Sequence, residues 1–167
     1  MKAFARIAKK YPDISLIQVG TGSMTVQLQA LANELGISNQ VRFLGAQPHE
    51  VIQKLMRNAE IFALPSQIAN NGNSEGLPIV IMEAAACGIP VISTWHSAIP
   101  DVVLDGKTGF LVPEKDDKSL AEKIDILLCD RALGKKLGIQ GRAWICENFD
   151  IRKQTHKLEK IYDSVIG

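Results

Sequence analysis

The chain has 167 residues, of which 46% are hydrophobic, and a formal net charge of +1. This is enough for one globular domain with a sizeable core, and the scattered basic residues offer no patch for nucleic acid or an anionic membrane surface. No apolar run approaches the roughly 20 residues of a membrane-spanning helix, and the first residues lack the apolar core of a secretion signal. The three cysteines form no CxxC pair and indicate reduced thiols. We therefore expect a cytoplasmic protein.

Short apolar segments alternate with amphipathic ones along the whole chain. The apolar runs predict strands at 14–19, 41–44, 60–64, 90–94 and 109–112. Helical spacing predicts helices at 3–10, around 28–35, around 51–56, at 78–87, at 99–104, after Asp116 or Asp117, at about 131–147 and after Asp150. This alternation is typical of right-handed crossover connections and of a parallel sheet with helices on both faces. The predicted fold class is therefore α/β, with a doubly wound parallel sheet.

The predicted helix at 78–87 carries two acids in an unusual setting. Pro78 suits a first helical position, and Gly88 suits the residue just past the helix end. The helix is apolar nearly all round, which indicates burial against a sheet. Glu83 is then an acid on a buried helix, where an ionised carboxylate is costly without a partner. One alternative is that Glu83 pairs with a nearby Arg or Lys, while Glu75 only favours the helix N-terminus.

The predicted topology gives these acids a second interpretation. In doubly wound sheets, ligands bind beyond the carboxyl ends of the strands, where the turn at Gly20–Gly22 and the loops at 66–76 and 94–97 fall. A helix N-terminus at this edge is a natural anion site, for which a diphosphate is the expected guest. Glu75 and Glu83 would then accept hydrogen bonds from hydroxyls of ribose and a hexose.

Other chemistries lack their motifs. The turn at Gly20–Gly22 lacks the third glycine of a dinucleotide fingerprint, and the segment ending in Gly106-Lys107-Thr108 lacks the leading glycine of a P-loop. The sequence contains no Asp-x-Asp, no paired His and no serine nucleophile elbow. We therefore expect neither a metal site nor a bound cofactor.

One stretch resembles a known family. GNSEGLPIVIMEAAACGIPVIST, followed by IPDVVLDGKTGFLVP, resembles the C-terminal half of the retaining nucleotide-sugar glycosyltransferases of group 1, which have two facing Rossmann-like domains (GT-B type). The family hallmark E-x7-E is matched by Glu75 and Glu83. AFARIAKKYPDISLIQVGTG, VRFLG, AEIFALPS and FDIRKQTHKLEKIY are similar to further family segments, so the resemblance covers nearly the whole chain. NNGNSEGLP and STWHSAIPD most resemble the branch that makes bacterial exopolysaccharides such as colanic acid and amylovoran.

The resemblance implies a role for each residue of the candidate site. Glu75 would contact hydroxyls of the transferred sugar as the catalytic residue, and Glu83 would hold the ribose. The backbone amides of Gly76 and Leu77 would meet the diphosphate. The remaining candidates for nucleotide binding are Gly20, Gly22, Ser66, Arg42 and Phe43. For Ser66, capping of a turn after Pro65 is an equal alternative, and His96 is interpreted as a loop-packing residue.

Some elements of the family pattern are missing. A glycine-arginine turn and a lysine that grip the diphosphate would precede Met1, as would the first strand, which belongs between the strands at 14–19 and 60–64. We therefore interpret residues 1–167 as a single Rossmann-like nucleotide-sugar-binding domain that lacks the usual central strand and is truncated at its N-terminal end. The acceptor-binding N-terminal domain would be absent, and the fragment alone inactive.

The implied enzyme is a hexosyltransferase that moves a sugar from a nucleotide-diphosphate sugar to a glycan or lipid-linked acceptor in surface or exopolysaccharide synthesis. The acceptor, and any contact with the inner face of the cell membrane, would involve the missing domain. One alternative is a nucleotide-sugar epimerase of the same architecture. The other is a non-catalytic αβ binding or signalling domain, although no predicted strand ends in the phosphorylatable Asp that a response receiver needs.

Overall fold

The computed structural model describes residues 1–68, 72 and 74–166, and within them short parallel strands alternate with helices. The strands are β1 (Leu16–Gln18), β2 (Val41–Phe43), β3 (Phe62–Leu64), β4 (Val91–Thr94) and β5 (Gly109–Val112). The helices are α1 (Lys2–Ala8), α2 (Thr25–Glu34), α3 (His49–Asn58), α4 (Ile79–Ala86), α5 (Ile99–Val102), α6 (Asp117–Cys129), α7 (Arg131–Asn148) and α8 (Ile151–Ile166). A short 3-10 turn at Ser38–Gln40 precedes β2.

Every predicted helix and strand is present, and the differences lie at the ends. Asp116 is confirmed as the cap of α6, because its side chain accepts from the amides of Lys118 and Ser119. Pro78 was predicted as the first helical residue, but it is the N-cap of α4, with a ψ of 113° that keeps it extended. The polar loop before α4 includes residues 69–71 and 73, which lie outside the described residues.

The strands form two small parallel sheets rather than one. β1 pairs with β2, and β4 lies between β3 and β5. Among the described strands, no ladder joins β1 to β3. The sheet is thus interrupted where the sequence analysis placed a missing central strand. The α/β class with parallel strands is confirmed.

Both faces of the sheet β3–β4–β5 are covered. Neighbouring strand residues point to opposite faces, and Val91 and Ile92 of β4 accordingly enter different apolar clusters. Ile92 packs with residues of α1, α2 and α6 and with Val41 of β2, so the first cluster joins the two sheets. Val91 packs with residues of α3, α4 and α5. The two clusters give the doubly wound arrangement that the sequence predicted.

Helix α4 is held between β4 and α7 by close backbone contact. Ile81 and Ala84 of α4 are fully buried. On the other side, a Cβ atom added at Gly138 of α7 would lie only 2.1 Å from the carbonyl oxygen of Gly88, in the turn that ends α4. Gly88 itself has a φ of +79°, a conformation that side chains rarely adopt. The packed position of the helix that carries Glu83 therefore depends on glycine at position 138 of α7.

This contact predicts opposite outcomes for two glycines of the same helix. Gly138→Ala should lower the free energy of unfolding by about 3 kcal/mol, because the added methyl group meets backbone that cannot rotate away. Gly134→Ala should be neutral or stabilise by up to about 1 kcal/mol, because alanine favours a helix and its Cβ would be 3.7 Å from the Pro90 ring. Urea unfolding of both variants measures the difference; equal effects would contradict the packing.

Candidate functional site

The start of α4 presents backbone N–H groups at the carboxyl edge of the sheet. Within the described part of the chain, no carbonyl or side chain accepts from the amides of Gly76 and Leu77. The carbonyl of Gly76 is occupied, since it accepts from the amide of Ala98 at 3.3 Å. Pro78 has no N–H, and the first turn of any helix leaves its amides unpaired. This segment therefore offers donors to an anion.

The two glutamates of the E-x7-E pattern lie on either side of this helix start. Glu75 is exposed, and Glu83 is half-buried one turn into α4. None of the salt bridges between described residues includes either glutamate. The alternative that Glu83 pairs with an Arg or Lys is therefore wrong for the described residues. A half-buried carboxylate without a protein partner is left with free acceptor oxygens.

The chain beyond β3 is pinned to β4 by two buried hydroxyls. Ser93 Oγ donates to the carbonyl of Leu64, and Thr94 Oγ1 donates to the carbonyl of Ser66, each at 2.6 Å. Both hydroxyl side chains are fully buried. The hydroxyl of Ser66 itself forms no hydrogen bond to any described residue, so the turn-capping alternative is not observed. The backbone at Ser66 is thereby fixed to β4.

His96 lies in a polar environment that the sequence did not predict. Its ring is buried, with 3% exposure, and both nitrogens are engaged. Nδ1 lies 2.6 Å from Glu114 Oε1, while Nε2 lies 3.1 Å from Ser74 Oγ and 3.1 Å from the carbonyl oxygen of Glu75. Glu114 also accepts from the amide of Ile68 at 3.1 Å. Their places in the sequence could have predicted the contact, because His96 and Glu114 each lie two residues beyond the end of a strand.

The His96 contact changes the acidity of its partner. The hydrogen bond from His96 holds the pKa of the Glu114 carboxyl below its ordinary value of 4.5, and the amide of Ile68 lowers the pKa further. The carboxylate is therefore ionised opposite Nδ1, which assigns a proton to that ring nitrogen. The Nδ1–H group of the buried His96 ring and the carboxylate of the half-buried Glu114 therefore satisfy each other's hydrogen-bonding capacity.

The remaining nucleotide-binding candidates belong to the other sheet. The turn at Gly20–Gly22 follows β1, and the Gly20 amide donates to the carbonyl of Gly45 at 2.8 Å. Gly20 has a φ of +112° and Gly45 a φ of +65°, which explains glycine at both positions. No hydrogen bond between described residues links this turn to the start of α4.

Arg42 and Phe43 are not brought to one place. They are successive residues of β2, so their side chains point to opposite faces of the sheet. Phe43 packs against the first apolar cluster, whereas Arg42 is exposed. The two side chains therefore cannot line a base from the same face.

The described residues contain neither a metal-binding cluster nor a membrane-spanning helix. No group of three His, Cys, Asp or Glu side chains is placed to hold a metal ion. No helix in the described ranges is long and apolar enough to cross a membrane.

Parallel strands that alternate with helices, with the start of α4 at their carboxyl edge, are typical of α/β domains that bind ligands at that edge. The chain belongs to the glycosyltransferase family described as "Glycosyl transferases group 1", whose sequence model matches residues 1–144. The resemblance stated from the sequence is thereby confirmed.

Similar proteins agree with this assignment. The GDP-mannose-dependent alpha-(1-6)-phosphatidylinositol monomannoside mannosyltransferase of Mycolicibacterium smegmatis is 33% identical over 162 residues, which are 96% of this chain and 42% of that protein. The putative colanic acid biosynthesis glycosyltransferase WcaL of Escherichia coli is 38% identical over 106 residues, 64% of this chain and 26% of that protein. The chain thus spans less than half the length of these relatives.

A solved structure gives the same fold. The Anabaena protein HepE, crystallised in complex with UDP-glucose, superposes with a TM-score of 0.82 at 25% identity, covering 97% of this chain and 43% of that one. The fold is that of the GT-B glycosyltransferases, and the chain corresponds to part of such a protein.

The lowered pKa of Glu114 predicts a pH effect on stability. Because the pKa is depressed in the folded state, the ionised carboxylate stabilises the fold above about pH 4.5, and this contribution is lost as pH falls through the folded pKa. Glu114→Gln should therefore be less stable than the unaltered protein at pH 6, and the gap should narrow towards pH 3. Thermal unfolding at both pH values measures it, with Glu122→Gln as an exposed control. A gap that is constant with pH would contradict the ionised pair.

Proposed function

We propose that this chain is the donor-binding unit of a retaining, metal-independent hexosyltransferase that uses a nucleotide-diphosphate sugar. The observation that carries the proposal is the start of α4, where no described residue accepts from the amides of Gly76 and Leu77. No salt bridge between described residues includes Glu75 or Glu83. Family membership supports the reaction class. The mannosyltransferase relative is named as GDP-mannose-dependent, and HepE was crystallised with UDP-glucose, which supports a donor of this chemical type.

The proposed roles follow from the chemistry of each group. The diphosphate meets the amides of Gly76 and Leu77, where the positive end of the helix dipole favours negative charge. Glu83 accepts hydrogen bonds from the ribose, and Glu75 accepts them from hydroxyls of the transferred sugar. As the glycosidic bond breaks, charge develops on the leaving diphosphate, and these fixed N–H donors stabilise it. Ser66, Gly20 and Gly22 line the nucleotide, with either Arg42 or Phe43 beside the base.

The acceptor is proposed to be a glycan or a lipid-linked saccharide in exopolysaccharide synthesis at the cytoplasmic face of the membrane. The match to a colanic acid biosynthesis glycosyltransferase supports this pathway class. Because the relatives are more than twice as long as the matched region, we place acceptor binding in residues outside this chain. The protein would close around both substrates before transfer.

Glu83 provides the sharpest test of the donor site. Glu83→Ala should weaken binding of the nucleoside diphosphate that the protein prefers by about tenfold or more, because hydrogen bonds between a carboxylate and the ribose hydroxyls are lost. Titration calorimetry of the full-length protein with uridine and guanosine diphosphates measures the affinities. Glu122→Ala, at an exposed position of α6, is the matched control and should bind like the unaltered protein. Unchanged affinity in Glu83→Ala would remove Glu83 from the ribose role.

Product analysis tests the reaction. The full-length protein, given a nucleotide sugar and an acceptor extract, should release nucleoside diphosphate and form a glycoside that retains the anomeric configuration. This chain by itself should show no transfer, because we place acceptor binding in residues outside it. A free epimer of the donor as the product, or turnover by the isolated chain, would contradict the proposal.

A further inference from the structure

The buried His96 and the half-buried Glu114 contact the described residues on both sides of the segment that precedes α4. At one end, Glu114 Oε2 accepts from the amide of Ile68. At the other end, His96 Nε2 reaches Ser74 Oγ and the carbonyl oxygen of Glu75, each at 3.1 Å. The pair itself is joined at 2.6 Å. Two residues from the ends of different strands thus fix where this loop leaves β3 and where it returns to the helix.

The hydrogen-bonding capacity of the ring explains how the loop is held. Because Glu114 is ionised, Nδ1 carries a proton and donates to it, which leaves Nε2 for the loop. A protonated Nε2 donates to the carbonyl of Glu75, which can only accept. An unprotonated Nε2 accepts from the hydroxyl of Ser74, which can donate. The loop is therefore attached at one of two adjacent residues in either state of the ring.

Glu75 depends on this attachment because little else fixes it. Its side chain is exposed, and no salt bridge to a described residue restrains it. Its successor is Gly76, which has no side chain to pack. Within the described part, the backbone contacts at this point are His96 with the Glu75 carbonyl and the Ala98 amide with the Gly76 carbonyl. Both come from the turn after β4.

That turn is itself held in a demanding conformation. Ser97, between His96 and Ala98, has a φ of +47°, which side chains seldom adopt. This backbone conformation lets the His96 ring and the Ala98 amide contact the carbonyls of two successive residues before α4. These two contacts restrict the main chain of Glu75 and Gly76, which lowers the conformational entropy that remains to be lost when a ligand binds.

We propose that His96 and Glu114 are positioning residues that fix the main chain of Glu75, so that its carboxylate is preorganised for the sugar of the donor. This inference rests on the proposed function of Glu75 as the sugar contact. His96 acts through Glu75 and touches no reacting atom. The pair therefore contributes to recognition of the sugar rather than of the nucleotide.

Two amide substitutions of His96 separate positioning from packing. The amide of His96→Gln extends to the place of Nε2 and can still donate to the Glu75 carbonyl, whereas the amide of His96→Asn reaches only the place of Nδ1. In the full-length protein, His96→Asn should weaken binding of UDP-glucose or GDP-mannose about tenfold, and binding of the corresponding nucleoside diphosphate less than threefold, or about 0.6 kcal/mol. His96→Gln should restore most of the affinity for the nucleotide sugar. An equal loss for both ligands, or no rescue by Gln, would overturn the proposal.

A double-mutant cycle identifies the residue through which His96 acts. In a Glu75→Ala background, His96→Asn should have no further effect on nucleotide-sugar affinity, because the group that it positions is gone. An effect of His96→Asn that persists at full size in this background would show a general structural role and would overturn the proposal.

A ligand-free measurement keeps the inference independent of the donor assignment. The carbonyl carbon resonance of Glu75 should shift in NMR spectra of His96→Asn and stay near its original position in His96→Gln. If it does not move in His96→Asn, the positioning contact is absent and the proposal fails. If the unaltered protein binds neither donor, the proposed function fails, while this resonance still decides whether His96 and Glu114 fix the loop.

Discussion

The backbone contact between α7 and the turn after α4 is the constraint on which the candidate site depends. Gly138 brings the α7 backbone against the carbonyl of Gly88, and any side chain there would overlap it. Because interiors are close-packed and transmit displacements, a shift of α7 would move α4 and both glutamates. Deeply buried Ile81 and Ala84 hold the opposite side of α4 against the sheet. The position of Glu83 is thus set by apolar packing and by the lack of a side chain at Gly138, and no ion pair to a described residue holds it.

The start of α4 is controlled by a different kind of interaction. Here the hydrophobic clusters end, and polar groups beyond β3, β4 and β5 connect the loops. Thr94 fixes the backbone at Ser66, and His96 with Glu114 fixes Ile68 and Glu75. Apolar packing fixes the helix, while hydrogen bonds fix the backbone at Ser66, Ile68 and Glu75. This division matches the proposed roles. Glu83, proposed to bind the ribose, lies on the packed helix, and Glu75, proposed to bind the transferred sugar, lies in the hydrogen-bonded segment before it.

Local patterns predicted the elements well, because strands and helices depend on apolar periodicity and on caps such as Asp116. The E-x7-E spacing pointed to a candidate site before and within α4, and that site stays a prediction. The strands form two sheets, and the absence of a ladder between β1 and β3 among the described strands agrees with the expected place of a missing strand, which stays a prediction. The predicted sites of Arg42 and Phe43 conflict because alternation along β2 sends neighbouring residues to opposite faces.

The network around His96 could not be predicted in the same way. His96 and Glu114 are 18 residues apart and meet only because β4 and β5 are parallel neighbours with aligned ends. The conformation of Ser97, at a φ of +47°, decides which carbonyl the ring faces. No periodic pattern in the sequence encodes such a contact, so the histidine was interpreted as packing.

The central claim is that the start of α4 binds a diphosphate. A crystal structure of the protein with its preferred nucleoside diphosphate tests this most directly. The account predicts phosphate oxygens within hydrogen-bonding distance of the amides of Gly76 and Leu77, with the ribose hydroxyls on Glu83. A nucleotide bound elsewhere, with those amides and Glu83 facing solvent, would contradict it.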